Sequence, residues 1–197
     1  MRKLFAFLRR SHTAGAPTGT SAGTSTGTLQ SVLMATVVGL GVAALPQDAN
    51  ARNIVSFSPH VAPGTVVISA SQRRLFYVVD TGVAISYPVA VPKRGKEWSG
   101  ATSIEGKYVN PDWVPPAVVK ADHPELPNFI RGGSPRNPMG VRALTLSSGE
   151  VAIHGTTQKM RASIGTAASY GCIRMLNEDV SDLYDRVSVG SPVVMTR

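Results

Sequence analysis

From Thr65 to Val91 the chain runs through three segments in which β-branched and aromatic residues predominate. Thr65-Val66-Val67-Ile68-Ser69 and Arg74-Leu75-Phe76-Tyr77-Val78-Val79 read as strands, and Asp80-Thr81-Gly82 supplies a hairpin turn into Val83 to Val91. Such a stretch buries its apolar faces only by pairing with neighbours, so the fold is expected to grow from a β-meander. Leu144-Thr145-Leu146 and Val151-Ala152-Ile153 flank the turn Ser147-Ser148-Gly149 and predict a second hairpin, and Pro192 to Met195 predicts a last strand. One helix is expected over Asn177 to Val187, where Val180, Leu183, Tyr184 and Val187 form an apolar stripe at i, i+3, i+4, i+7. Asn177 suits its N-cap, and Glu178 and Asp179 suit the positive end of its dipole as solvated helix-start residues. The segment from Pro92 to Pro138 is dense in Pro and Gly and reads as a long loop of the kind that carries binding surfaces. The fold class is therefore mainly β, with a meandering sheet core and one short amphipathic helix.

Residues 1–51 are set aside as a cleaved export signal. Arg2, Lys3, Arg9 and Arg10 form a positive start, and a Gly/Thr/Ser-rich tract that cannot bury apolar surface follows. The uncharged run Val32 to Leu45 is too short to span a bilayer comfortably, so no stable transmembrane segment is expected. Ala49-Asn50-Ala51 gives the small-x-small cleavage pattern; Arg9-Arg10 leaves the choice between the general and the twin-arginine export route open. Residues 52–63 read as a short linker and 64–197 as one compact domain. The exported domain then belongs to the periplasm or cell envelope. Without residues 1–51 there remain 16 Lys and Arg against 11 Asp and Glu, a net charge of +5, which suits an anionic envelope polymer and equally an ordinary solvated exported surface. Nucleic acid is a poor fit, because the basic residues are scattered and do not interleave with aromatics. A single Cys excludes an internal disulfide framework and any multi-cysteine metal cluster. Neither a metal nor an organic cofactor is expected, and no Gly-rich phosphate-cradling loop occurs.

The chemistry concentrates between His154-Gly155 and Ser169-Tyr170-Gly171-Cys172-Ile173-Arg174-Met175. A thiol attacks acyl carbons as its thiolate, and a nearby imidazole can take its proton. Gly155 and Gly171 let the backbone approach a reacting centre, where an N–H can hold an oxyanion. Arg174 adds positive charge beside the thiol or docks a carboxylate. A cysteine so placed is expected to be more acidic than the ordinary value of about 8.5. Taken singly, these residues also read as a buried small hydrophobe and a hydrogen-bonded structural histidine, and the pattern alone leaves both readings open. An unpaired Cys in an exported chain favours a retained reactive thiol.

The stretch His154-Gly155 … Ser169-Tyr170-Gly171-Cys172-Ile173-Arg174-Met175-Leu176-Asn177-Glu178-Asp179-Val180 closely resembles the signature of the L,D-transpeptidase family with the YkuD catalytic domain. Val66-Val67-Ile68 with Gln72 to Phe76 is similar to that family's opening hairpin, Tyr87-Pro88-Val89 to its second strand, and Asn137 to Leu144 to the segment leading to the His strand. The resemblance implies a catalytic domain in which Cys172 attacks a peptidoglycan stem before its terminal D-alanine and forms a thioester. It implies His154 as proton acceptor and donor, the Gly155 carbonyl orienting the imidazole, and Tyr170, Gly171, Arg174 and Ser169 around the oxyanion and substrate. An amine acceptor then resolves the thioester; another stem peptide, an outer-membrane protein's amine and a free D-amino acid are the candidates. A thiol hydrolase of the same fold and a non-catalytic wall-binding module are the alternatives, and the latter would be expected to lack Cys172 or His154. Many relatives carry His where Tyr170 stands and a Thr-Pro-x-Gly turn where Glu97-Trp98-Ser99-Gly100 stands. His60 and His123 match no family motif and read as surface or structural.

Overall fold

The computed structural model describes residues 52–57 and 60–197, so the expected export signal lies outside the described residues. In chain order the elements are β1 (Asn53–Ser56), β2 (Val66–Ser69), β3 (Arg74–Asp80), β4 (Val83–Pro88), β5 (Val91–Pro92), β6 (Gly100–Val109), α1 (Ala117–Asp122), β7 (Arg142–Leu146), β8 (Ala152–His154), β9 (Ala167–Ser169), β10 (Ile173–Arg174), α2 (Asn177–Arg186) and β11 (Pro192–Thr196). A 3-10 turn covers Gln158–Ser163.

The expected meander forms: β2 pairs antiparallel with β3, and β3 with β4. Within the stretch read as a linker, β1 pairs antiparallel with β4. The third predicted strand ends early, because beyond Pro88 the chain leaves the meander. Ala90 bridges to Arg174, and β5 pairs with β9 in a separate two-stranded sheet. The main sheet runs β1-β4-β3-β2-β11-β6-β7-β8-β10. The C-terminal strand β11 is inserted between β2, to which it is parallel, and β6, to which it is antiparallel. Strands β8, which ends on His154, and β10, which follows Cys172, stand at the opposite edge from β1 and pair in parallel.

The segment Pro92 to Pro138 is not the continuous loop expected. It contains β6, whose pairing with β7 is interrupted by a bulge between Ile104 and Gly106, and the short helix α1. Only Ile104 of β6 is buried, so the strand carries no alternation strong enough to mark it in the sequence.

Val66, Ile68, Leu75, Tyr87, Leu144, Ile153, Val193 and Met195 belong to the main core. Helix α2 closes it with Val180, Leu183 and Val187, as the stripe predicted, and Tyr184 packs partly buried beside them. The buried Tyr87 donates its hydroxyl to Asp182 at 2.5 Å and ties β4 to the helix. Lys107 donates to the Val187 carbonyl at 2.6 Å, placing a cation at the helix C-terminus where the dipole favours it. The helix start differs from expectation in two ways. Leu176 occupies the N-cap without a side-chain bond, so Asn177 is not the cap. Asp179 is buried and not solvated: its Oδ2 finds no hydrogen-bond partner among the described residues, while Glu178 reaches out to Arg161 at 2.8 Å.

Candidate active site

Strand β8 ends on His154 and β10 begins just after Cys172. In the parallel register Arg174 lies beside His154 and Ile173 beside Ile153, with the Met175 N–H bonded to the His154 carbonyl at 2.8 Å. Carried one step back, this register sets Cys172 level with Ala152, two positions before His154 and so on the same face of the sheet, and both line one cavity of about 570 Å³. Trp113, Val119, Leu126 and Ile130 give it an apolar wall; Arg136, Glu150 and Arg174 supply charge around the thiol and imidazole.

His154 is buried, and its Nδ1 lies 2.8 Å from the Gly155 carbonyl. A carbonyl only accepts, so Nδ1 carries the proton and Nε2 is left as the basic nitrogen. Burial pulls the imidazole down from its ordinary value to about 4, the Arg174 cation pulls the same way, and the Gly155 and Pro138 carbonyls pull against both. Burial pushes the Cys172 thiol up; a backbone hydrogen bond from Ala152 and the Arg174 charge oppose it. The resting pair is therefore a neutral thiol beside a neutral imidazole. The acidic thiol expected from the sequence is not what the site builds, because desolvation outweighs the favourable charge.

Arg174 is itself buried; its Nη1 donates to Ser163 at 2.6 Å and its Nε has no partner among the described residues. The Ser169 hydroxyl is used within the loop, donating to the Cys172 carbonyl and lying 3.4 Å from the Gly171 N–H. Gly171 adopts φ 134°, a region that side chains avoid, and its carbonyl accepts from Trp98 Nε1 at 2.9 Å. Trp98 thus braces the loop that carries Cys172 from the Glu97–Gly100 segment, a role that no motif in the sequence signals. Tyr170 donates its hydroxyl to Asp122 at 2.7 Å, and Lys93 sits over its ring at 3.6 Å from the centroid and 3.5 Å from Asp122. His123 is not merely a surface group: it lines the cavity and packs edge-on to Tyr170. His60 is exposed. Asn137, quoted in the sequence only as part of a lead-in segment, is buried and donates to the Pro111 carbonyl at 2.8 Å, accepting from the Met139 N–H at 2.9 Å.

The family model of the L,D-transpeptidase catalytic domain, YkuD, matches residues 63–195. The chain belongs to the L,D-transpeptidase family. The probable L,D-transpeptidase YbiS of Escherichia coli K12 is 36% identical over 141 residues, covering 68% of this chain and 44% of that protein. The chain thus spans less than half the length of this relative. A solved L,D-transpeptidase structure from Mycobacterium smegmatis shares the fold at 21% identity and a TM-score of 0.54, covering 68% of this chain and 58% of that one. A Brucella melitensis structure described as a probable carnitine operon oxidoreductase, CaiA, is 38% identical with a TM-score of 0.50, covering 74% and 92%. Among the described residues, no helix is long and apolar enough to cross a membrane.

Proposed function

We propose that this chain is a peptidoglycan L,D-transpeptidase exported to the periplasm or cell envelope, where it acts in cell-wall biogenesis. The observation that carries the reading is the pairing of β8 with β10, which brings a thiol and an imidazole of fixed tautomer to one cavity. The donor is a stem peptide whose scissile bond joins an L-centre to a terminal D-alanine. Cys172 Sγ attacks that carbonyl carbon as its proton passes to Nε2 of His154. The imidazole is free to accept it, since with a value of about 4 it is neutral near pH 7. The tetrahedral oxyanion is held by backbone amides of the Tyr170 to Cys172 segment. The Gly171 N–H already faces Ser169, so the Cys172 N–H is the better donor. Collapse breaks the C–N bond, His154 returns the proton to the leaving D-alanine nitrogen, and a thioester remains on Cys172. An acceptor amine then attacks the thioester, losing a proton to His154, and the thiol is restored.

The buried Arg174 cation, with no carboxylate within ion-pair distance among the described residues, suits a substrate carboxylate entering the cavity.

The test is mass spectrometry of purified disaccharide-tetrapeptides after incubation with the protein. Cross-linked dimers or D-amino-acid exchange products are expected. Shortened stems alone would make the protein a hydrolase, and unchanged masses would overturn the enzyme reading.

A further inference from the structure

Asn177 opens α2, yet its side chain bonds not its own helix start but Thr156, two residues past the strand that ends on His154. Its Oδ1 accepts the Thr156 N–H at 3.0 Å and lies 3.4 Å from the Val141 nitrogen. Its Nδ2 donates to the Thr156 carbonyl at 3.0 Å. One amide therefore pairs both backbone groups of Thr156, a task that a neighbouring strand ordinarily performs. Two glycines make the room. A Cβ on Gly155 or on Gly140 would run into Asn177 Oδ1, and Gly140 also needs φ 66°.

The consequence follows from the peptide plane. The Thr156 N–H and the Gly155 C=O belong to the same peptide unit, which is planar and points its N–H and C=O in opposite directions. A group that grips the N–H therefore aims the C=O, and this C=O is the one that accepts from His154 Nδ1 at 2.8 Å. We infer that Asn177 is a positioning residue for the base: by holding the Thr156 N–H it aims the Gly155 carbonyl at Nδ1, so that the proton sits on Nδ1 and Nε2 is the nitrogen that takes the thiol proton. The role deepens the proposed function and rests on its assignment of His154 as the base. Asn177 acts through the peptide and touches no reacting atom.

A long-range proton–nitrogen NMR spectrum of His154 reads the tautomer directly, with no substrate present, so it also stands apart from whether the protein is a transpeptidase. In the wild type Nδ1 should carry the proton near pH 7. In Asn177→Ala the population should move toward the Nε2–H form, and D-alanine release from a tetrapeptide should fall about tenfold, the size typical of losing a group that orients another. Val180→Ala, which opens a cavity under α2 without touching this peptide, controls for lost stability and should keep the wild-type tautomer. Asn177→Asp retains the accepting oxygen and should keep it too, which preserves the test if the alanine variant does not fold. An unchanged tautomer in folded Asn177→Ala, an equal change in Val180→Ala, or a lost tautomer in Asn177→Asp would each overturn the inference.

Discussion

His154 and Asp179 are both buried titratable groups, and burial moves their stability contributions in opposite directions with pH. The imidazole falls from 6.5 to about 4, so the folded state resists its protonation. Its contribution is full above 6.5 and is lost as pH drops through about 4. Burial lifts the Asp179 carboxyl from 3.8 to about 6. That contribution is full below 3.8 and is lost as pH rises through about 6, so the two slopes oppose each other in the window between. Asp179→Asn should therefore stabilise the protein at pH 7 by about 1–3 kcal/mol, with the gain vanishing near pH 3.5. Thermal melts at the two pH values check it; equal gains at both would show that the carboxyl is not the source. A sequence reading placed Asp179 on a solvated first turn because acidic residues belong there. It could not see that the helix turns this face toward the sheet. The same blindness to burial made the thiol look acidic, whereas the pairing of His154 with the Gly155 carbonyl, and its meeting with Cys172 in one cavity, were legible from residue types and order.

At the scale of elements, the parts legible in the sequence are those that bury their own apolar residues. Strands β2 and β3 and helix α2 announce themselves through Val66 to Ile68, Leu75 to Val78, and Val180 to Val187. Strand β6 does not, because its polar residues lie on a half-exposed surface with glycines at Gly100 and Gly106. Helix α1 has no buried residue at all. Its attachment comes from Asp122, held by Tyr170 and Lys93, and Val118 and Val119 thereby face the cavity. Tyr170→Phe keeps the ring under Lys93 but removes the bond to Asp122. Steady-state kinetics should show KM for the stem peptide rising about three- to tenfold with kcat little changed, the loss of one hydrogen bond to a charged group. A fall in kcat with KM constant would place Tyr170 in the chemistry instead. Tyr170→His retains a hydrogen-bonding ring and should stay within about one order of magnitude of wild type.

Over the whole molecule, the site depends on pairings between distant parts of the chain, which local patterns do not encode. Strand β11 joins the β1–β4 meander to the β6–β10 half, and the parallel β8–β10 pair brings Cys172 and His154 to one cavity. Deleting residues 192–197 removes the strand that bridges β2 and β6, and with it the buried Val193 and Met195. The truncated chain should lose cooperative unfolding in circular dichroism, because each buried apolar side chain contributes about 1.5–3 kcal/mol against a total stability of about 5–15 kcal/mol. A cooperative melt close to wild type would mean that the two halves stand without their bridge. The central claim is that Cys172 carries the acyl group during turnover, and peptide mapping of the protein quenched in acid while turning over a tetrapeptide tests it most directly. The account expects the peptide containing Cys172 to gain the mass of the stem lacking its D-alanine, and expects folded Cys172→Ala to gain no mass and to release no D-alanine. D-alanine release that persists in Cys172→Ala, or an adduct on any other residue, would contradict it.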